Sequence, residues 1–139
     1  MSTRAASTRE TVETMYRALA TGDWAGFTQA LSDEIVIEEP QFLPYGGTYV
    51  GRAGLRTLAP RIGAALDMST LRIEHMLVEA DRAFTVLRVQ MTTGGGWLRA
   101  AEETVVRDGK VTEWRIYLLD DGSCADRVGS RQTDDDYRR

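Results

Sequence analysis

From residue 71 onward the sequence reads as four strand-like segments joined by short turns, and this run restricts the possible folds more than any other feature. Residues 71–79 alternate apolar and polar side chains, Ala80-Asp81-Arg82 turns the chain, and 83–91 form a second strand. Gly94-Gly95-Gly96 reverses into 97–107, and Asp108-Gly109 is a two-residue hairpin signal leading into 111–119. The first half of the chain has a different period. Val12, Met15, Tyr16 and Leu19 lie at helical spacing within 9–20, with Thr8 placed to cap the helix. Thr21-Gly22-Asp23 stops it, and Asp23 can cap a short second helix carrying Trp24, Phe27, Ala30 and Leu31. A third helix is expected over 52–66, with Leu55, Leu58, Ile62 and Leu66 on one stripe and Pro60 as a kink or interruption.

Between the second and third helices, Ile35-Val36-Ile37 reads as a short strand that Pro40 ends, since proline has no N–H for a ladder. Residues 41–51 read as a loop in which Phe42, Leu43, Tyr45 and Tyr49 alternate with turn formers. So apolar a loop is expected to cover something, as a pocket wall or lid would. Helices first and long antiparallel strands afterwards give an α+β fold, a curved sheet wrapped around three N-terminal helices with an internal pocket. The expected organisation is a flexible N-terminus over 1–8, one domain over 9–122, and a polar, disordered tail over 123–139 with three consecutive Asp residues.

Charge and composition exclude several classes of function. With 139 residues there is room for one domain, and a formal charge of -4 with scattered basic residues disfavours nucleic acid, which needs a positive field. No apolar run is long enough to span a membrane, and residues 1–8 lack the apolar core of a signal peptide. The single cysteine, Cys124, allows no internal disulfide, so a cytoplasmic location is expected. Gly94-Gly95-Gly96 does not lead from a strand into a helix and is no phosphate loop. Neither a cofactor nor a metal is expected: His75 is the lone histidine, and no partner stands at ligand spacing.

Taken together, a helix ending in Gly-Asp, an acidic corner, "IVIEEP", "YVGRAGLRTL" and "VVRDGKVTEWRIY" resemble the SnoaL-like class of the nuclear transport factor 2-like superfamily, over residues 9 to about 122. The resemblance implies a cone-shaped α+β barrel, commonly dimeric, whose members include isomerases, cyclases, dehydratases, epoxide hydrolases and non-catalytic binding proteins. Two enzyme templates assign residues. In ketosteroid isomerase the general base is an acid just before a proline at the end of the first strand, and Glu39 of "EEP" matches it. The template's protonated oxyanion-hole acid, on the strand before the last hairpin, falls at Glu103. Its oxyanion tyrosine falls at Met15 by counting back from Gly22-Asp23, with Tyr16 the next residue and ~100° around the helix. In limonene epoxide hydrolase the motifs are Arg-x-Asp and Trp-x-Asp. Here Arg88-Val89-Gln90 and Trp114-Arg115-Ile116 keep the arginine and the tryptophan but neither aspartate.

Each of these residues has a functional and a plain reading. Glu39, pressed against Phe42, Leu43 and Tyr45, would have a raised pKa suited to proton transfer, or would be a solvated strand-end acid. Glu103 alternates with Ala101 and Val105. If that face lines the cavity it is a buried acid or the partner of Arg88, and Glu102 points away. Arg88 and Gln90 share a face with Phe84 and Val86, and His75 shares one with Leu71, Ile73 and Leu77. His75 is then a hydrogen-bonded core residue or the acid partner of Glu39. Tyr16, Phe42, Tyr45, Trp114 and Ile116 are expected to line the pocket with Gln90. The sequence therefore suggests a cofactor-independent acid/base enzyme, an isomerase or cyclase, acting on a hydrophobic small molecule such as a polyketide- or terpenoid-like intermediate. The catalytic set would be Glu39, Glu103, Arg88 and His75. Two alternatives are a non-catalytic binding or assembly domain and an epoxide hydrolase or epoxide-opening cyclase. A homodimer is expected through the outer sheet face, flanked by Glu102, Thr104, Glu113 and Arg115.

Overall fold

The computed structural model describes residues 2–119, and side chains from residue 7 onward. Three helices, α1 (Ser2–Thr21), α2 (Trp24–Gln29) and α3 (Gly51–Ala65), pack on a sheet of six strands. These are β1 (Leu31–Glu39), β2 (Gly47–Val50), β3 (Leu66–Glu79), β4 (Arg82–Met91), β5 (Trp97–Arg107) and β6 (Lys110–Leu118). Their order in the sheet is β2-β1-β6-β5-β4-β3. All neighbours are antiparallel except β1 and β6, so the α+β sheet is mixed, curved and unclosed. Cys124 and the expected tail over 123–139 lie outside the described residues.

Local chemistry accounts for most of the elements. Asp23 caps α2 through a 2.9 Å bond from the Gly26 N–H, and Phe27 of that short helix is buried. Asp108 and Gly109 both take positive φ, as a two-residue turn matched to the twist of a hairpin requires. α1 begins at Ser2 rather than Arg9, so the stretch expected to be a flexible N-terminus is mostly helical. Thr8 is accordingly not a cap. Its hydroxyl donates to the Ala80 carbonyl at 2.8 Å and ties α1 to the β3–β4 turn. α3 runs through Pro60 without interruption, because Pro60 and Arg56, the residue four before it, lie on the exposed side. The C-terminal end of α3 passes directly into β3, so Leu66 is the first residue of a strand and not the last of a helix.

Two departures shape the pocket. β1 is longer than Ile35–Ile37 because its acidic segment sits in an irregularity between the Leu31–Val111 and Val36–Glu113 pairings. The expected loop over 41–51 contains β2, which pairs with the end of β1 and sets Glu39 opposite Gly47. Leu43 and Tyr45 are buried beneath the remaining loop, whereas Phe42 points outward. Among the described residues no helix is long and apolar enough to cross a membrane.

The core fills the space between the helices and the inner face of the sheet. It includes Val12, Met15 and Tyr16 of α1, Leu55 and Leu58 of α3, and Leu87, Val89 and Leu98 of the strands. Each large apolar side chain buried this way contributes roughly 1.5–3 kcal/mol. α3 approaches β2 closely at Gly54, where an added Cβ would stand 2.9 Å from the Tyr49 carbonyl carbon. At Gly63 of the same helix an added Cβ would meet nothing within 4 Å. Gly54→Ala is therefore expected to destabilise the fold by about 1–3 kcal/mol through overpacking. Gly63→Ala is expected to be neutral or to stabilise by up to about 1 kcal/mol. Urea unfolding midpoints of the two variants check both signs.

Candidate active site

The helices and the inner sheet face enclose a cavity of about 150 Å³. Leucine, isoleucine, valine and methionine side chains from α1, α3, β3, β4, β5 and β6 make most of its wall. Two carboxyl groups, Glu39 and Glu102, face into this apolar space. Among the described residues the lining contains no arginine, lysine or histidine.

Alternation along β1 brings Glu39 inside. Ile35, Ile37 and Glu39 are buried on one face, while Glu38 points outward to Arg115 at 2.9 Å. Glu39 is only 8% exposed, and among the described residues its carboxyl has no hydrogen-bond partner. Burial, and secondarily the charge of Glu102, push its pKa up to about 9. At neutral pH Glu39 is therefore a carboxylic acid that still holds its proton.

Glu102 is equally buried but well partnered. Its Oε1 accepts a 2.7 Å bond from the Tyr16 hydroxyl and a 2.8 Å bond from the Trp114 indole N–H. Burial raises its pKa, and these two bonds oppose the rise by stabilising the anion. Of the two acids, Glu102 is the one whose anion is supported by hydrogen-bond donors. Tyr16 stays protonated, its pKa held well above the ordinary value first by burial and then by the adjacent Glu102 charge. Edge-on ring contacts continue the cluster: Tyr16 to Trp114 at 6.0 Å and Phe27 to Trp114 at 5.9 Å. Trp24, 5.5 Å from Phe27 and 47% exposed, lies at the mouth.

Of the residues singled out from the sequence, Tyr16, Glu39, Tyr45, Trp114 and Ile116 line the cavity together. Glu103, Arg88, His75, Gln90 and Phe42 do not. Glu103 lies on the outer sheet face, bonded to Arg82 at 2.6 Å and Tyr117 at 3.3 Å, and it makes no pair with Arg88. Arg88 lies over the Trp97 ring at 4.9 Å, and Gln90 donates to the Gly95 carbonyl at 3.1 Å. His75, opposite outward-facing Val86, is exposed. The inner faces are instead Leu98, Ala100, Glu102 and Thr104 on β5, and Thr85, Leu87, Val89 and Met91 on β4. Glu102 and Thr104 consequently cannot flank an outer-face contact, while Glu113 and Arg115 remain on that side. Met15 is buried but outside the lining, and the next residue, Tyr16, carries the hydroxyl into the site.

The missed residue is Glu102. Both faces of β5 mix apolar side chains with one acid, so period-two alternation alone does not choose between them. The usable signal is that Arg99 and Arg107 share the Glu103 face, which marks it as the solvent side. Among the described residues no three His, Cys, Asp or Glu side chains converge as metal ligands would.

Residues 12–114 match the family model of the SnoaL-like domain, and the chain belongs to that family. Solved structures of similar fold include a protein with a cystatin-like fold from Xanthomonas campestris, at 20% identity and a TM-score of 0.76, covering 87% of this chain and 96% of that one. TerC, co-crystallised with polyporic acid, aligns at 18% identity and a TM-score of 0.75, covering 88% of this chain and 98% of its own. A candidate ketosteroid isomerase from Kribbella flavida aligns at 18% and 0.71, covering 84% and 80%. At these identities the likeness concerns the fold. No curated protein matches the sequence.

The coupled acids give stability a definite pH dependence. An acid whose folded pKa lies above its unfolded value of 4.5 stabilises the fold fully below pH 4.5, and loses that contribution as pH rises toward about 9. Stability is expected to fall across this window, with Glu39 contributing a slope approaching about 1.4 kcal/mol per pH unit. Glu39→Gln, which has no proton to lose, should flatten the slope. Urea unfolding at stepped pH values measures both, and equal slopes in the two proteins would contradict the assignment.

Proposed function

We propose that this protein is a cofactor-independent acid/base enzyme, an isomerase or cyclase, acting on a hydrophobic small molecule held in the apolar cavity. Glu39 is the proton carrier. The single observation behind this is a carboxyl with no hydrogen-bond partner among the described residues, buried at the edge of an apolar cavity and protonated at neutral pH beside a second carboxyl held by two donors. Water has little room beside a bound ligand, so the proton of Glu39 is directed to the ligand's reacting heteroatom. After rearrangement the Glu39 carboxylate takes a proton back. Glu102, with Tyr16 and Trp114, serves as a fixed charge that keeps Glu39 loaded and stabilises charge arising opposite it. Isomerisation and cyclisation both need only this exchange, since neither changes the ligand's composition.

The roles first assigned to Glu103, Arg88 and His75 drop out of this reading because those side chains face away from the cavity. Membership of a family that includes isomerases and polyketide cyclases supports the reaction class. The reading also includes a homodimer through the outer sheet face. It is supported there by the stacked Phe84 and Tyr117 rings and the exposed Leu77 and Trp97.

A panel of small apolar enones, imines and hydroxy-ketones in deuterated buffer, followed by NMR for isomerisation, ring closure or deuterium uptake, tests the reaction. Glu39→Gln is expected to lower the rate of any accelerated reaction by about 100-fold or more. With Glu39 acting as the acid, the wild-type rate is level below pH 9 and falls above it. Panel members that bind but react equally in wild type and Glu39→Gln would sink the enzyme reading and leave a binding domain.

A further inference from the structure

The charges of this molecule are arranged differently inside and out. On the outer face Glu38, Glu74 and Glu103 each meet an arginine. Inside, Glu39 and Glu102 share a cavity that no basic side chain lines among the described residues. A buried negative charge without a counter-cation is costly, and whatever enters the cavity alters that cost.

The hydrogen-bonding capacity of the polar end sets the sign. Of the donors there, the Tyr16 hydroxyl and the Trp114 indole N–H are both given to one oxygen of Glu102, and the third is the O–H of Glu39. The Thr85 hydroxyl beside Tyr16 is fully buried and lies outside the lining. A negatively charged ligand atom would therefore meet two acidic groups, with the Tyr16 and Trp114 donors already engaged and only the single O–H of Glu39 left to offer. What is available to a ligand is the second oxygen of Glu102, the Glu39 carboxyl, and the aromatic rings of Tyr16, Phe27 and Trp114, which continue to Trp24 at the mouth. Ring faces and carboxylate oxygens both attract cations. An oxyanion site would need the opposite arrangement, with free donors converging on one point.

We propose that the cavity is selective for positive charge, its ligand being an apolar molecule with a protonated amine seated against Glu102 and the Tyr16–Phe27–Trp114 rings. A cavity of about 150 Å³ suits an apolar body of one ring. This deepens the proton-transfer reading and rests on it. A proton handed by Glu39 to a basic ligand atom leaves that atom positive, and Glu102 is then its counter-ion. Hydrophobic carboxylates and phenolates are excluded by the same charge.

Calorimetric titration at pH 7 with benzylamine, benzyl alcohol and benzoate, three probes of similar shape and different charge, tests the proposal. Benzylamine is expected to bind at least about tenfold tighter than benzyl alcohol, equivalent to ~1.4 kcal/mol, and benzoate more weakly than either. The order should persist in Glu39→Gln, which cannot transfer a proton but keeps Glu102. In Glu102→Gln, shown to be folded by its thermal melt, the amine should lose its advantage while benzyl alcohol still binds. Should that variant not fold, the wild-type Trp114 indole N–H resonance provides the check, because benzylamine seated at Glu102 must shift it. Equal or reversed affinities in the wild type, an amine preference that survives Glu102→Gln, or an unmoved Trp114 resonance would each overturn the proposal. Failure of Glu39 to matter for turnover would overturn the proton-transfer reading alone and leave this binding order intact.

Discussion

The Glu102 carboxyl sits in the interior of the fold, bonded to a tyrosine from the first helix and a tryptophan from the last strand. Those two bonds join the two ends of the domain across the cavity. They also satisfy two donors that would otherwise be buried without partners, each at a cost of roughly 1–3 kcal/mol. The same cluster sets the electrostatics of the site. Burial first, and the neighbouring Glu102 second, keep the proton on Glu39, which has no hydrogen-bond partner among the described residues. The fold's long-range hydrogen bonds and the electrostatics of the cavity thus meet at a single buried acid.

Around this cluster the remaining charge is kept outside. The pairs Arg82–Glu103, Arg99–Glu74 and Arg115–Glu38 lie on exposed or half-exposed positions of the outer sheet face. Such pairs contribute little to stability individually, typically about 0–1 kcal/mol. Their consequence is positional: these three arginines are engaged outside, and among the described residues no basic side chain lines the cavity. The cavity is therefore apolar over most of its wall and acidic at one end, a division suited to holding a hydrophobic body while acting on one polar atom.

Family membership fixes the scaffold and leaves the chemistry to the residues set into it. Of the two templates considered, the one built on a strand-end acid, a helix tyrosine and an acid on the penultimate strand matches in the kinds of residue brought to the cavity. Here the tyrosine bonds the acid on the penultimate strand directly. The template built on aspartates two residues beyond an arginine and a tryptophan does not fit. Gln90 lies outside the cavity and Ile116 inside it is apolar.

Much of the architecture was legible in the amino-acid order because it is decided locally. Asp23 before Trp24, the Asp108-Gly109 turn and the alternation of the late strands each act over a few residues, and each sits where the sequence places it. Glu39 was legible as well, for it follows Ile35 and Ile37 at strand period and precedes a proline. What the order of residues left open was which face of β4 and β5 turns inward. Phe84, Val86, Ala101 and Val105 look as suited to a core as Leu87, Val89, Leu98 and Ala100. Only the packing of α1 and α3 against one side assigned them, and with them it exchanged Glu103 for Glu102 and sent Arg88 and His75 outward. Sequence by itself determined that the protein is helical first and sheet afterwards, with an acid at the end of the first strand. The tertiary structure decided which second acid joins it, because a one-residue step along a strand reverses the side chain and only contacts from distant helices can fix that choice.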